Sequence, residues 1–235
     1  MHERNCFLTL TYSNESLPPD GSLRLEDWQK FARRVRKSVG PFRFLHCGEY
    51  GEENLRPHYH ACVFGLDFSG DRFVFKVSRG NTLWRSPTLE SLWPFGFATI
   101  GALSFESAAY VARYVMKKAT GPLAEKRYSR LDPKTGEVWQ VRPEYVTMSR
   151  RPGLGSTWFD RYASDVFPAD EVVHEGRRFR PPRFYTSKLP EAEVEGLKLE
   201  RRRKVMSRKA DLTQERLAVR ERCAVSRLRL QPREL

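Results

Sequence analysis

Cysteine is scarce. The four in 235 residues (Cys6, Cys47, Cys62 and Cys223) are scattered with no C-x-x-C pair, which excludes a disulfide-stapled scaffold and argues against a structural zinc at His46, Cys47 and Cys62. No stretch approaches the roughly 20 apolar residues of a membrane span, and the opening MHERNCFLTLTY has no apolar signal core. The phosphate-loop pattern G-x-x-x-x-G-K-[ST] is absent, so no helicase or NTPase domain is expected in this chain. There is no internal repeat. Acidic residues are outnumbered, 29 Asp and Glu against 42 Lys and Arg, leaving a net charge of +13. With no membrane or secretion signal, nucleic acid is the leading polyanionic partner, its phosphates supplying salt-dependent affinity. Hydrophobic residues at 40% and aromatics at 12% suffice for a core and exclude wholesale disorder. A soluble, intracellular, basic globular chain is expected.

Residues 6–12 alternate in period two and read as a strand, closed by the turn residues Pro18, Pro19, Asp20 and Gly21. Leu25, Trp28, Phe31, Ala32, Val35 and Val39 fall at three- and four-residue steps, which predicts an amphipathic helix stopped by Gly40 and Pro41. Its outer face carries Lys30, Arg33, Arg34, Arg36 and Lys37. Residues 42–50 and 57–66 read as two strands joined by a Gly/Glu/Asn loop, with a short extra strand over 72–77. A helical turn over 88–93, a strand over 97–102 and a helix over 105–118 follow, the last ended by Gly121 and Pro122. Tyr128 and residues 138–148 are expected to be the arms of a hairpin around Asp132 to Gly136, and 156–166 a helix capped by Ser156. Past Pro168 the chain turns basic and aromatic. From Glu191 onward it holds 13 Lys and Arg, 8 Asp and Glu, and no aromatic residue, which suggests a peripheral helical tail. The expected class is α+β, a central antiparallel sheet flanked by helices with a basic helical C-terminal extension. The expected divisions are 1–167, a connector over 168–190, and a tail over 191–235.

Two features carry chemistry. On a strand, residues i and i+2 share a face, so His58 and His60 present two imidazoles side by side, half of a metal site. Glu49, at the end of the preceding antiparallel strand, is placed to join them; Glu52 and Glu53 in the loop compete for that role. The second feature is the helix stripe Tyr110, Tyr114 and Lys118 at spacings of four, with Lys117 beside it. A phenol of pKa about 10 is a poor nucleophile at neutral pH. It attacks a phosphodiester when a divalent metal withdraws charge from the phosphate and orients it, and a lysine then stabilises the charge that builds. Arg150 and Arg151, in a turn with Pro152 and Gly153, are candidate phosphate contacts, as are Arg33, Arg34, Arg36 and Lys37.

His58-Tyr59-His60 resembles the histidine–hydrophobic–histidine motif of the HUH endonucleases. Phe7-Leu8-Thr9-Leu10-Thr11 is similar to their first-strand motif, and the run from Tyr110 to Lys118 to their tyrosine motif in its two-tyrosine form. Order and spacing resemble the rolling-circle replication initiators of microviruses, small single-stranded DNA bacteriophages, as does the stretch from Met148 to Phe159. The resemblance runs over residues 6–167. It implies an RRM-like antiparallel sheet, with His58, His60 and an acidic residue holding Mg²⁺ or Mn²⁺. It further implies nicking of the viral plus strand at a duplex origin, a 5′-phosphotyrosine on the enzyme, and a free 3′-OH that primes a host polymerase in the host-cell cytoplasm. A host helicase would supply unwinding, and a later joining step would close the strand. The rival readings are an HUH transposase or relaxase with the same chemistry, and a non-catalytic module that binds single-stranded nucleic acid through sheet aromatics.

Overall fold

The computed structural model describes residues 1–51, 54–78, 80–117 and 119–230; the side chains of 114–117 and of 228–229 also lie outside the description. The chain divides into two compact units, Met1–Arg151 and Pro152–Leu235. Among the described residues no helix is long and apolar enough to cross a membrane.

The first unit is an α+β fold in which helices lie on a seven-stranded sheet. Its strands are β1 (Asn5–Tyr12), β2 (Arg43–Tyr50), β3 (Pro57–Phe64), β4 (Phe73–Ser78), β5 (Asn81–Arg85), β6 (Gly96–Gly101) and β9 (Tyr145–Met148), in the order β4-β5-β6-β1-β3-β2-β9. Every neighbouring pair is antiparallel. A separate two-stranded ribbon pairs β7 (Ser129–Leu131) with β8 (Val138–Gln140).

Period-two alternation sorts the sheet residues onto two faces. Leu8, Leu10 and Tyr12 of β1 and Tyr59, Ala61 and Val63 of β3 enter the main core, under α1 (Leu25–Ser38) and α2 (Pro87–Leu92). Helix α1 brings Trp28, Phe31, Ala32 and Val35, the stripe expected from the sequence, and burying such side chains stabilises the fold by about 1.5–3 kcal/mol each. Phe7 of β1, Cys47 of β2 and Cys62 of β3 form a smaller core on the other face, closed by Tyr110 and Val111 of α3 (Phe105–Lys117). His46 faces α1, stacked on Trp28 with ring centroids 3.8 Å apart, while Cys47 and Cys62 face α3, so the three do not converge. Gly96 opens β6 at φ +150°, where a Cβ would sit 2.2 Å from the Ser13 backbone nitrogen; only glycine lets the chain approach β1 there.

Several local expectations are corrected. The strand expected over 72–77 forms as β4; what the sequence missed is its hairpin partner β5, which had no clear alternation to reveal it. Residues 138–148 are not a single hairpin arm. Tyr128 ends α4 (Pro122–Tyr128), β8 pairs with β7, and β9 departs to the sheet edge beside β2. Ser156 is not the cap of α5 (Ser156–Val166): Gly155, at φ 77°, takes that position, and a Cβ there would meet the Tyr185 hydroxyl. In the second unit, a small ribbon of β10 (Val172–His174) and β11 (Arg177–Phe179) precedes a short helix, α6 (Arg183–Thr186). Trp158 of α5 stacks on Tyr185 of α6. The expected tail helix is two, α7 (Glu191–Met206) and α8 (Gln214–Leu230), and α7 buries no residue. A bidentate pair between Arg201 and Asp170 ties α7 to its own unit.

Candidate functional site

Strand register assembles the cluster. Glu49 lies directly opposite His58 across β2 and β3, and His60 directly opposite Thr9 across β3 and β1. Paired residues share a face, so Glu49, His58, His60 and Thr9 all point away from α1. His58 Nε2 is 2.7 Å and His60 Nε2 2.9 Å from the same carboxylate oxygen, Glu49 Oε1. One ligand atom from each of the three residues lies within 4.8 Å of the others. Phe7 stacks beneath His60 at 5.4 Å, and Glu49 is only 3% exposed.

The protons test whether this cluster suits a cation. His58 Nδ1 lies 3.0 Å from the Arg56 carbonyl oxygen, which can only accept, so Nδ1 carries a hydrogen. In a neutral ring, Nε2 then presents its lone pair to Glu49 Oε1, and two lone pairs face each other. A second ring proton resolves that repulsion; so does a divalent cation between the two atoms. A backbone carbonyl orienting the far nitrogen of a ligating histidine is the usual outer support of a metal site. Thr9 Oγ1, 3.0 Å from His60 Nδ1, offers the second ring a similar hold. Glu49 Oε2 is buried with no hydrogen-bond partner among the described residues, a remaining donor atom for an ion. Burial pushes the Glu49 carboxyl up, but the contacts from His58 and His60 outweigh it and hold the group below its ordinary value. The residues fit: this is a His/His/Glu set able to coordinate a divalent metal.

Helix α3 crosses this face and sets Tyr110 against the cluster. Its hydroxyl lies 3.5 Å from Glu49 Oε1, and its ring stands edge-on to His60 at 5.2 Å. The Arg113 guanidinium lies 5.6 Å from the Tyr110 ring. Tyr114 and Lys117 belong to the same helix by backbone. Their side chains, and all of Lys118, lie outside the described residues, as do the competing acids Glu52 and Glu53.

The basic residues divide differently. Helix α1, with Arg33, Arg34, Arg36 and Lys37, packs on the face opposite the cluster. Arg34 is partly spent on structure, its Nε donating to the Leu92 carbonyl at 2.8 Å. Arg36 lies over the Phe42 ring at 4.9 Å. Arg33, Arg36 and Arg150 converge on one groove of about 510 Å³ together with Phe44 and Met148. Lys37 and Arg151 are exposed. Sequence pattern did not mark Thr9, the Arg56 carbonyl or Arg113 as supports. Thr9 was findable, because period two places it beside Phe7 on the cluster's face; the other two depend on a loop path and a helix rotation.

A family model whose description opens with "Replication-associated protein ORF2" matches residues 5–119. Over 201 residues the chain is 32% identical to "Replication-associated protein ORF2" of Spiroplasma virus 4, covering 80% of this chain and 58% of that protein. It is 29% identical over 196 residues to "Replication-associated protein VP4" of Bdellovibrio phage phiMH2K, covering 79% and 58%. It is also 29% identical over 200 residues to "Replication-associated protein ORF4" of Chlamydia phage 1, covering 80% and 46%. The chain thus spans about half the length of these curated relatives. No solved structure matches it.

Proposed function

We propose that this relative of phage replication-associated proteins is an HUH endonuclease of the microvirus-initiator type, nicking the viral plus strand at its origin to start rolling-circle replication. The observation that carries the reading is Tyr110: its hydroxyl stands 3.5 Å from Glu49 Oε1, in a cluster where both His58 and His60 reach that same oxygen. His58, His60 and Glu49 would hold Mg²⁺ or Mn²⁺, which when bound withdraws charge from the scissile phosphate and orients it. Tyr110, presented to the cluster by α3, would be the nucleophile. Its oxygen forms the new P–O bond as the P–O3′ bond breaks; the phenol gives up its proton and the departing 3′ oxygen gains one. The products are a 5′-phosphotyrosine and a free 3′-OH for the host polymerase. Lys117 and Lys118 follow on the same run and would balance charge on the phosphate. Tyr114, one helical turn on, would serve as the second nucleophile: the 3′-OH left by one tyrosine's cut attacks the phosphotyrosine held by the other, which rejoins the strand and frees that other tyrosine for the next round. The printed names of the relatives, all replication-associated, support the reading. Arg33, Arg36, Lys37, Arg150 and Arg151 are proposed phosphate contacts, Arg34 with them. The single-stranded and duplex forms of the origin are the proposed substrates in the host cytoplasm, with a host helicase as partner.

The test is a denaturing gel of the protein mixed with a pool of single-stranded oligonucleotides and Mn²⁺. A covalent adduct that disappears with a chelator is expected. Binding without adduct at any metal concentration would reduce the protein to a binding module.

A further inference from the structure

The face that holds the cluster does not stop at β3. Register carries it across β1 to β6: His58 pairs with Thr11, and Thr11 with Phe97; His60 pairs with Thr9, and Thr9 with Thr99. Phe97 therefore lies on the cluster's face, two strands away, about 10 Å by backbone at roughly 4.8 Å per strand. It is 62% exposed, although the neighbouring Ala98 and Ile100 on the opposite face are buried. Beyond it the face continues: Trp84 opposes Ile100, so the next residue, Arg85, falls in register beside Thr99, and Phe73 pairs with Arg85. Phe73 and Phe75 are about half exposed, and the Arg85 guanidinium lies 5.3 Å from the Phe75 ring while also pairing with Glu90. Between cluster and aromatics the floor is Thr9, Thr11 and Thr99, partly exposed hydroxyls with no carboxylate among them.

Isolated exposed apolar residues are ordinary. Phe97 and Phe73, in register on the sheet face of the His/His/Glu cluster, with Phe75 at the β4 bulge against the Arg85 guanidinium and hydroxyls between, are not. Aromatic platforms of this kind take unstacked bases, tolerate any base because each has a π-face, and pair naturally with cations that follow the backbone. We infer that the sheet face running from the cluster through Thr11 to Phe97, and on to Phe73, Phe75 and Arg85, is a base-stacking track for single-stranded DNA. This inference rests on the nicking reading for its choice of ligand. At about 3.4 Å per stacked nucleotide, Phe97 receives the base two or three positions from the phosphate at the cluster. It is thereby a positioning residue for the strand to be cut.

The experiment uses the full chain, without divalent metal, and fluorescein-labelled oligothymidylate of 20 nucleotides in an anisotropy titration. Phe97→Ala is expected to weaken binding about tenfold, in line with the loss of one base stack, with an unchanged melting temperature because the ring is exposed. Phe97→Trp is expected to keep wild-type affinity, and its added tryptophan emission to be quenched by the DNA. An affinity within twofold of wild type for Phe97→Ala, with unquenched emission in Phe97→Trp, overturns the track. So does sedimentation showing that Phe97→Ala abolishes self-association while leaving DNA affinity intact, since the patch would then join copies of this chain. The adduct gel is separate: no adduct with a Phe97-dependent affinity would sink the nicking reading and leave the track standing.

Discussion

The Arg56 carbonyl oxygen can only accept a hydrogen bond, and that single constraint sets the tautomer of His58 and turns its other nitrogen toward Glu49. A set so arranged binds a cation in the folded state and not in the unfolded chain, so metal should stabilise the protein. At a concentration 100 times the dissociation constant the gain is about 2.7 kcal/mol, which for a domain of this size raises the melting temperature by about 5–10 °C. Mn²⁺ should produce that shift in the wild type and none in the His58→Ala/His60→Ala variant, measured by calorimetry; an equal shift in both would place the ion elsewhere. The same double variant should form no covalent adduct yet bind oligonucleotide within about threefold of wild type, since affinity comes mainly from basic residues. Glu49→Gln should weaken metal dependence more than Glu52→Gln. For the proposed nucleophiles, Tyr110→Phe and Tyr114→Phe should each retain part of the adduct yield, and the double variant none. Mass spectrometry of the wild-type adduct should find nucleotide on both; nucleotide on Tyr110 alone would remove the alternating mechanism.

Among the elements, α3 matters because it carries Tyr110, the proposed nucleophile, and a chain of hydrogen bonds ending on a buried carboxylate follows it. The Ala119 N–H donates to the Tyr128 hydroxyl, which donates to Glu144, and Arg127 pairs with the same carboxylate. Glu144 is 2% exposed. Burial pushes its carboxyl up, but the Arg127 and Tyr128 contacts outweigh that and hold it below the ordinary value. A carboxyl depressed on folding adds stability that is complete above its unfolded pKa, about 4.3, and is lost as pH falls through the lower folded value. Glu144→Gln should therefore cost about 1–3 kcal/mol near neutral pH and flatten the acid limb of the stability curve below pH 4. Adduct yield should fall with it, although Glu144 touches none of the cluster. An unchanged urea midpoint at pH 7 would show that α3 is held by other means.

For the molecule as a whole, the +13 charge is spread through both units, and 13 of the basic residues lie beyond Pro190. None of these positions carries an aromatic ring or a tyrosine nucleophile. A chain ending at Pro190 should therefore still cleave a single-stranded oligonucleotide, with lower affinity and a shallower dependence of log affinity on log salt, by about 0.7 for each phosphate of a single strand that is no longer neutralised. Anisotropy from 50 to 200 mM salt measures this. Loss of all adduct from a truncated protein that still melts cooperatively would show that the tail takes part in catalysis.

Local pattern alone determined much of this protein. Alternation in β3 placed His58 and His60 on a common face, and the three-and-four spacing of α1 named its buried stripe, because period follows directly from backbone geometry. The choice of Glu49 as the third member was open in the sequence, with Glu52 and Glu53 as rivals; the register of β2 on β3 brings Glu49 to the two histidines. Strand pairing is a long-range contact that no local period encodes. The same holds for α1, whose arginines lie on the far side of the sheet from the cluster, and for Phe97, an ordinary strand residue until β6 pairs with β1 and sets it beside Thr11. Serine's preference for the cap position is a local bias of about 1 kcal/mol, and at α5 that position is held by Gly155 at φ 77°, where a Cβ would meet the Tyr185 hydroxyl. Which residues face one another along an element was written in the sequence; which elements face one another was decided only when the sheet closed around a shared core.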